Sequence, residues 1–231
     1  EAGNLEHVEF LLKSGAGASK ALDYAVEFDQ LKMAELAFKY DAKVESGFWI
    51  DTAVKNKNLA LATLLIKKGG DPNKSMMQAL KAGQIDMVKM MLDNGADATP
   101  RNLIREASEL GQVEIAHMLI EKGAVAEEGM KQAVKNNHTK VVELLLVSGA
   151  KGIDPYYIET AADFGNMDIA QMLLDRGANP DAGMTNAIAK GYAKIVEMLI
   201  SAGANPVKES YMVTAVDKDY YEIVQMLIAG N

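Results

Sequence analysis

The sequence predicts an all-α solenoid, a curved rod of stacked helix–turn–helix repeats. Three observations predict it. First, an alanine recurs eight times, each followed sixteen residues later by a helix-ending residue: Ala25 and Asp41, Ala53 and Gly69, Ala79 and Gly95, Ala107 and Gly123, Ala133 and Gly149, Ala161 and Gly177, Ala187 and Gly203, Ala215 and Asn231. Second, the spacers alternate between ten residues (Gly15 to Ala25) and twelve (Asp41 to Ala53), so repeats of 26 and 28 residues build a true period of 54. Third, no segment shows the period-2 alternation of a strand. A fixed period of this size marks an array in which each supersecondary unit buries its apolar face on its neighbours.

The elements follow in order. The chain begins inside a repeat, with Glu1 and Ala2 in the slot that Glu27 and Phe28 occupy one repeat later, and its first helix-forming run is Val8-Glu9-Phe10-Leu11-Leu12. This is a second helix, and the same pattern returns as Val88-Lys89-Met90-Met91-Leu92, Val142-Glu143-Leu144-Leu145-Leu146 and Val196-Glu197-Met198-Leu199-Ile200. The first helices carry a large apolar residue three before the key alanine: Leu22, Ile50, Met76, Ile104, Met130, Ile158, Met184 and Met212. In the repeat around Ala161, Asp154-Pro155 is a good helix start, because Asp caps the first free N–H groups and Pro suits the first helical position. Ile158, Ala161 and Ala162 then share one face, Phe164-Gly165-Asn166 breaks the helix, and a second helix runs from Met167 to about Arg176, where Gly177 ends it. Acids in the first turn of second helices (Asp86, Glu114, Asp168, Glu222) complement the helix dipole. The count is eight first helices and nine second helices, in one array over 1–231: about eight full repeats and a leading half-repeat. With no initiator Met and no polar end repeat, the chain reads as a segment of a longer array, with any targeting signal outside it.

Composition excludes several classes of function. The net charge of −8 argues against a nucleic-acid partner and against an anionic membrane surface. No apolar run approaches the roughly 20 residues that span a bilayer, so no membrane insertion is expected. The absence of Cys excludes disulfides and Cys-based metal sites, and fits an intracellular, reducing compartment. Fourteen Met against five Phe and one Trp point to a core of flexible side chains. His7, His117 and His138 fall at different slots with no second histidine at helical spacing, so neither a metal nor a general base is expected. Asp93-Asn94-Gly95-Ala96-Asp97 lacks the Gly and Glu that a calcium loop needs at its sixth and twelfth slots, which hold Ala98 and Ile104. No cofactor and no catalytic residue is expected.

The run Gly-Asn/Gln-x-Asp/Glu-φ-Ala/Val-x-φ-Leu-φ-x-x-Gly-Ala-Asn/Asp-Pro, clearest over 165–180, 83–97 and 111–124, resembles the second half of an ankyrin repeat. The Thr-Pro-Leu-His opening of that family is replaced here by Gly183-Met184-Thr185 or Tyr157-Ile158-Glu159. The family's repeat of about 33 residues is shortened between the glycine and the next alanine, so short bare loops are expected in place of hairpin fingers. The resemblance implies a non-catalytic scaffold that binds a protein partner along its concave face, which the first helices line. Its contact slots fall here on Tyr24, Thr52, Gln78, Glu106, Gln132, Thr160, Asn186 and Thr214, and one turn further on Phe28, Lys55, Lys81, Leu110, Lys135 and Phe164. Phe28, Leu110 and Phe164 are read either as contacts or as local packing at the interhelix turn. Other readings are a structural segment stacked in a larger assembly, and a regulatory array attached to an unseen enzymatic domain.

Four residues before the key alanine the chain alternates small and large: Ala21, Trp49, Ser75, Leu103, Gly129, Tyr157, Gly183 and Tyr211. Trp49, Leu103, Tyr157 and Tyr211 are read either as core or as exposed anchors. Thirteen residues later stand Ala34, Ala62, Val88, Ala116, Val142, Ala170, Val196 and Val224. Large residues mostly pair with Ala and small ones with Val, as volume compensation in a shared core would require.

Overall fold

The computed structural model describes residues 2–45 and 47–230. Glu1, read as the start of the half-repeat, and Asn231, read as the last helix-ending residue, lie outside the described residues. The chain divides into two compact units, Glu1–Leu103 and Ile104–Asn231.

The first unit holds α1 (Ala2–Lys13), α2 (Ala18–Glu27), α3 (Leu31–Lys39), α4 (Phe48–Lys55), α5 (Leu59–Lys67), α6 (Met76–Lys81) and α7 (Ile85–Asp93). The division falls inside α8 (Arg101–Glu109). The second unit continues with α9 (Val113–Glu121), α10 (Glu127–Lys135), α11 (Thr139–Val147), α12 (Pro155–Phe164) and α13 (Met167–Asp175). It closes with α14 (Pro180–Lys190), α15 (Ala193–Ser201), α16 (Glu209–Asp217) and α17 (Tyr221–Ala229). Among the described residues the count is seventeen helices and no strand, nine second helices and eight first helices as predicted. Among the described residues the long spacers carry no hairpin.

Local chemistry sets the boundaries. Asp154 and Asn179 each accept the N–H two residues on, with Pro155 and Pro180 at the first helical position. Asn58 caps α5 by accepting from the Leu61 N–H. Second helices end where the chain turns left-handed, at Gly15, Gly69, Gly95, Gly123, Gly149, Gly177 and Gly203 with φ between 86° and 103°. That conformation costs any residue with a Cβ about 1–2 kcal/mol. Asp41 adopts it at φ 63°.

In each unit the first helices form one layer and the second helices another. In the first unit α2, α4 and α6 pack in sequence over α3, α5 and α7; in the second, α10, α12, α14 and α16 pack over α11, α13, α15 and α17. The eight key alanines from Ala25 to Ala215 are fully buried where the layers meet, a spot with room for one methyl. Leu65, Met91, Leu119, Leu145, Leu173 and Leu199, all at 0% exposure, fill the space between the layers. Each such side chain contributes roughly 1.5–3 kcal/mol by leaving water.

At two of the small slots, Gly129 and Gly183, the nearest neighbours are side chains other than the valines thirteen residues on. A Cβ on Gly129 would stand 2.3 Å from Ser108 Oγ, 3.2 Å from Leu145 Cδ1 and 3.3 Å from Ile104 Cγ1. On Gly183 it would meet Leu199 Cδ1 at 3.1 Å, Ala162 Cβ at 3.3 Å and Ile158 Cγ1 at 3.4 Å. Val142 and Val196 are not among these nearest neighbours. The glycines are therefore where the first helix lies against the preceding first helix, α10 on α8 and α14 on α12, and where a leucine of its own second helix presses in.

Candidate functional site

Trp49, Leu103, Tyr157 and Tyr211 are all buried, at 3–7% exposure. Their polar ends are handled individually. The Trp49 Nε1–H donates to Asp23 Oδ1 at 2.8 Å, tying α4 to α2. The Tyr157 hydroxyl donates to Glu127 Oε1 at 3.0 Å, tying α12 to α10. Burial, and then the Glu127 carboxylate, push the Tyr157 hydroxyl well above the usual phenol range, so it stays protonated and donating.

Glu127 also accepts the Lys151 N–H at 2.6 Å, and this is one rung of a ladder. Asn73 Oδ1 accepts the Asp97 N–H at 2.8 Å, and Asp181 Oδ1 accepts the Asn205 N–H at 2.7 Å. Acceptors and donors both recur every 54 residues. Each twelve-residue spacer from Gly95 onward is thus pinned by a side chain in the first turn of the preceding first helix or, for Asn73, in the turn just before it. Sequence reasoning missed this ladder, although an oxygen-bearing side chain six residues before Ala79, Ala133 and Ala187 was the available signal.

The predicted contact residues separate into three groups. Thr52, Lys55 and Gln78 come together in the first unit, in a groove of about 630 Å³ lined only by α2, α4, α6 and the residue ending α4. Asp23, Glu27, Asp51 and Asn56 share it, Trp49 forms part of its wall, and Phe48 stands at 69% exposure beside it. Phe48 was not predicted, because its slot holds Asn102, Tyr156 and Ser210 in the corresponding repeats and shows no apolar pattern. Tyr24 and Phe28 stack on each other, centroids 5.9 Å apart and rings 12° from parallel. They line a separate cleft with His7, Val8 and Leu11 of α1.

The rest are dispersed. Lys81 and Lys135 are exposed, as are Leu110 and Phe164, while Glu106 and Gln132 are half-buried. The Thr214 hydroxyl donates to Ser210 O in its own helix, as Thr52 does to Phe48 O. Asn186 spends its amide on Glu159 O across α12 and α14. Thr160, predicted as a contact, is buried at 8%. The reason is the close approach of α14 to α12 that Gly183 permits, which covers this slot.

The histidines do not form a site. His138 Nε2 lies 2.8 Å from Glu109 O, with its ring over Gly111, where a Cβ would stand 2.6 Å from Nδ1. Tyr192 covers Gly165 and Tyr220 covers Gly191 in the same way. Among the described residues no group of three or more His, Asp or Glu could hold a metal, and no helix is long and apolar enough to cross a membrane.

Comparison with known proteins bears on this geometry. A family profile described as Ankyrin repeats (3 copies) matches residues 50–130 and 76–159, and one described as Ankyrin repeat matches 159–184. The matched span, 50–184, is more than half of the 231 residues. Comparison with curated proteins gave no match. Among solved structures, the human ASB11 ankyrin repeat domain is similar in fold, with a TM-score of 0.66 at 21% identity over 79% of this chain and 97% of that domain.

Proposed function

Because the chain belongs to the ankyrin repeat family, whose repeats are protein–protein interaction modules and whose members are typically non-catalytic scaffolds, we propose that it binds a protein partner along its first-helix face, the face read from the sequence as concave. The observation that carries this reading is the groove of the first unit, where Thr52, Lys55 and Gln78 converge beside exposed Phe48. Three consecutive first helices contribute to it, and no second helix does. A partner lying across such a surface would touch several repeats at once, and apolar residues rimmed by polar ones are the usual composition of a contact patch.

The test is photo-crosslinking. A benzoylphenylalanine at position 56, which lines the groove, is compared with one at position 143, an exposed position of a second helix. Adducts in extracts of the native source that form only from position 56 support the reading. Adducts only from position 143 overturn it.

A further inference from the structure

The groove of the first unit carries chemistry specific enough to describe its occupant; the argument rests on the first-helix face being the binding face. Along α4, Phe48, Asp51 and Lys55 follow one another at spacings of three and four residues, on one side of the helix. The order on the groove wall is therefore apolar, acidic, basic. Asp23 and Glu27 of α2 add two more carboxylates across from Asp51. Three carboxylates thus face one cation.

These carboxylates are incompletely used within the protein. Asp23 accepts from Trp49 Nε1–H and Asp51 from the Ser75 hydroxyl, each through Oδ1 alone. Glu27 accepts no side-chain hydrogen bond, and none of the three forms a salt bridge among the described residues. All three are at least partly exposed.

We propose that this groove binds an extended protein segment in which an arginine stands between an apolar residue and an acidic residue. The arginine cation meets Asp51, Asp23 and Glu27. The apolar residue packs on Phe48 and the acidic one pairs with Lys55. Phe48 and Lys55 are seven residues apart, about 10 Å at the helical rise, which an extended segment covers in about three residues. The segment therefore reads apolar-Arg-x-acidic. Arginine is favoured over lysine because its planar fork can engage two carboxylate oxygens at once and stack on an aromatic ring.

The chain has one tryptophan, Trp49, and it lines this groove, so its emission reports on the groove alone. The probe is acetyl-Leu-Arg-Ala-Glu-amide, titrated at low and high salt. Expected are a saturable change in Trp49 emission, weakening with salt, and a loss of affinity of about tenfold when Gln replaces Arg. Glu27→Gln and Asp51→Asn should each weaken binding about threefold, the scale of one partly exposed charge pair, with melting curves unchanged. Equal binding of the Arg and Gln peptides, or no emission change up to millimolar peptide, overturns the proposal. Either result leaves the crosslinking from position 56 intact if only the arginine requirement is wrong; adducts confined to position 143 would show that the face itself was misassigned.

Discussion

At the scale of the residue, one backbone slot recurs in every repeat and has a consequence for stability. Four residues after each key alanine the chain turns between its two helices with positive φ: Asp29, Lys57, Gly83, Gly111, Asn137, Gly165, Gly191 and Asp219. Glycine meets this requirement without strain, and Asp or Asn tolerates it. Lys57, at φ 57°, carries a long side chain there and gains nothing local in return. Lys57→Gly should raise stability by about 1 kcal/mol, read from denaturant midpoints at unchanged slope. Asp71 and Asp97 illustrate a second residue-scale effect. The backbone N–H groups of Asn73 and Thr99, and then their side chains, donate to these carboxylates and hold both below the ordinary 3.8. A depressed folded pKa means stability that is present above the unfolded value and lost as pH falls through the folded one. Melting temperature should therefore drop as pH falls below about 4, and less steeply in Asp97→Asn, which keeps the acceptor and removes the titration. An equal slope in the variant would exclude Asp97 as a contributor.

At the scale of the element, single side chains set how neighbouring first helices meet. Small slots allow contact: Gly129 against Ser108 and Ile104, Gly183 against Ile158 and Ala162. Two of the large slots are tied to the preceding first helix by a hydrogen bond, Trp49 to Asp23 and Tyr157 to Glu127. Gly129→Ala should cost about 1–3 kcal/mol by overpacking. Much of that should return in a Ser108→Ala background, because the Ser108 Oγ is the closest obstacle and is itself buried without a partner. A double-mutant cycle with no coupling would show that α10 does not meet α8 as described. Trp49→Ala should cost about 3–5 kcal/mol through the lost core volume, whereas Trp49→Phe keeps most of the packing and loses only the bond to Asp23.

At the scale of the whole molecule, the 54-residue period is the unit of design: two repeats, one small and one large slot on the first helices, and one long spacer. Stability in such an array is a sum of repeats and nearest-neighbour interfaces. Ile158→Ala, at a fully buried site of α12, should cost about 2–5 kcal/mol. By hydrogen exchange it should open α12 and α14 while α4 and α6 keep their protection; uniform loss would mean that the array unfolds as one. The same scale separates what the chain alone could tell from what it could not. The seventeen helices, their ends and the buried alanines were readable because capping, left-handed turns and apolar periodicity act over a few neighbouring residues. Which contact slots remain accessible was not. Thr52 and Thr160 occupy the same slot of their repeats and each is followed by another first helix, yet Thr160 is buried while Thr52 is half-exposed. The sequence by itself determined the repeat, the family and the secondary structure. The tertiary structure decided the groove beside Phe48 and the burial of Thr160, because both depend on the distance between adjacent first helices, which residues a full repeat away set.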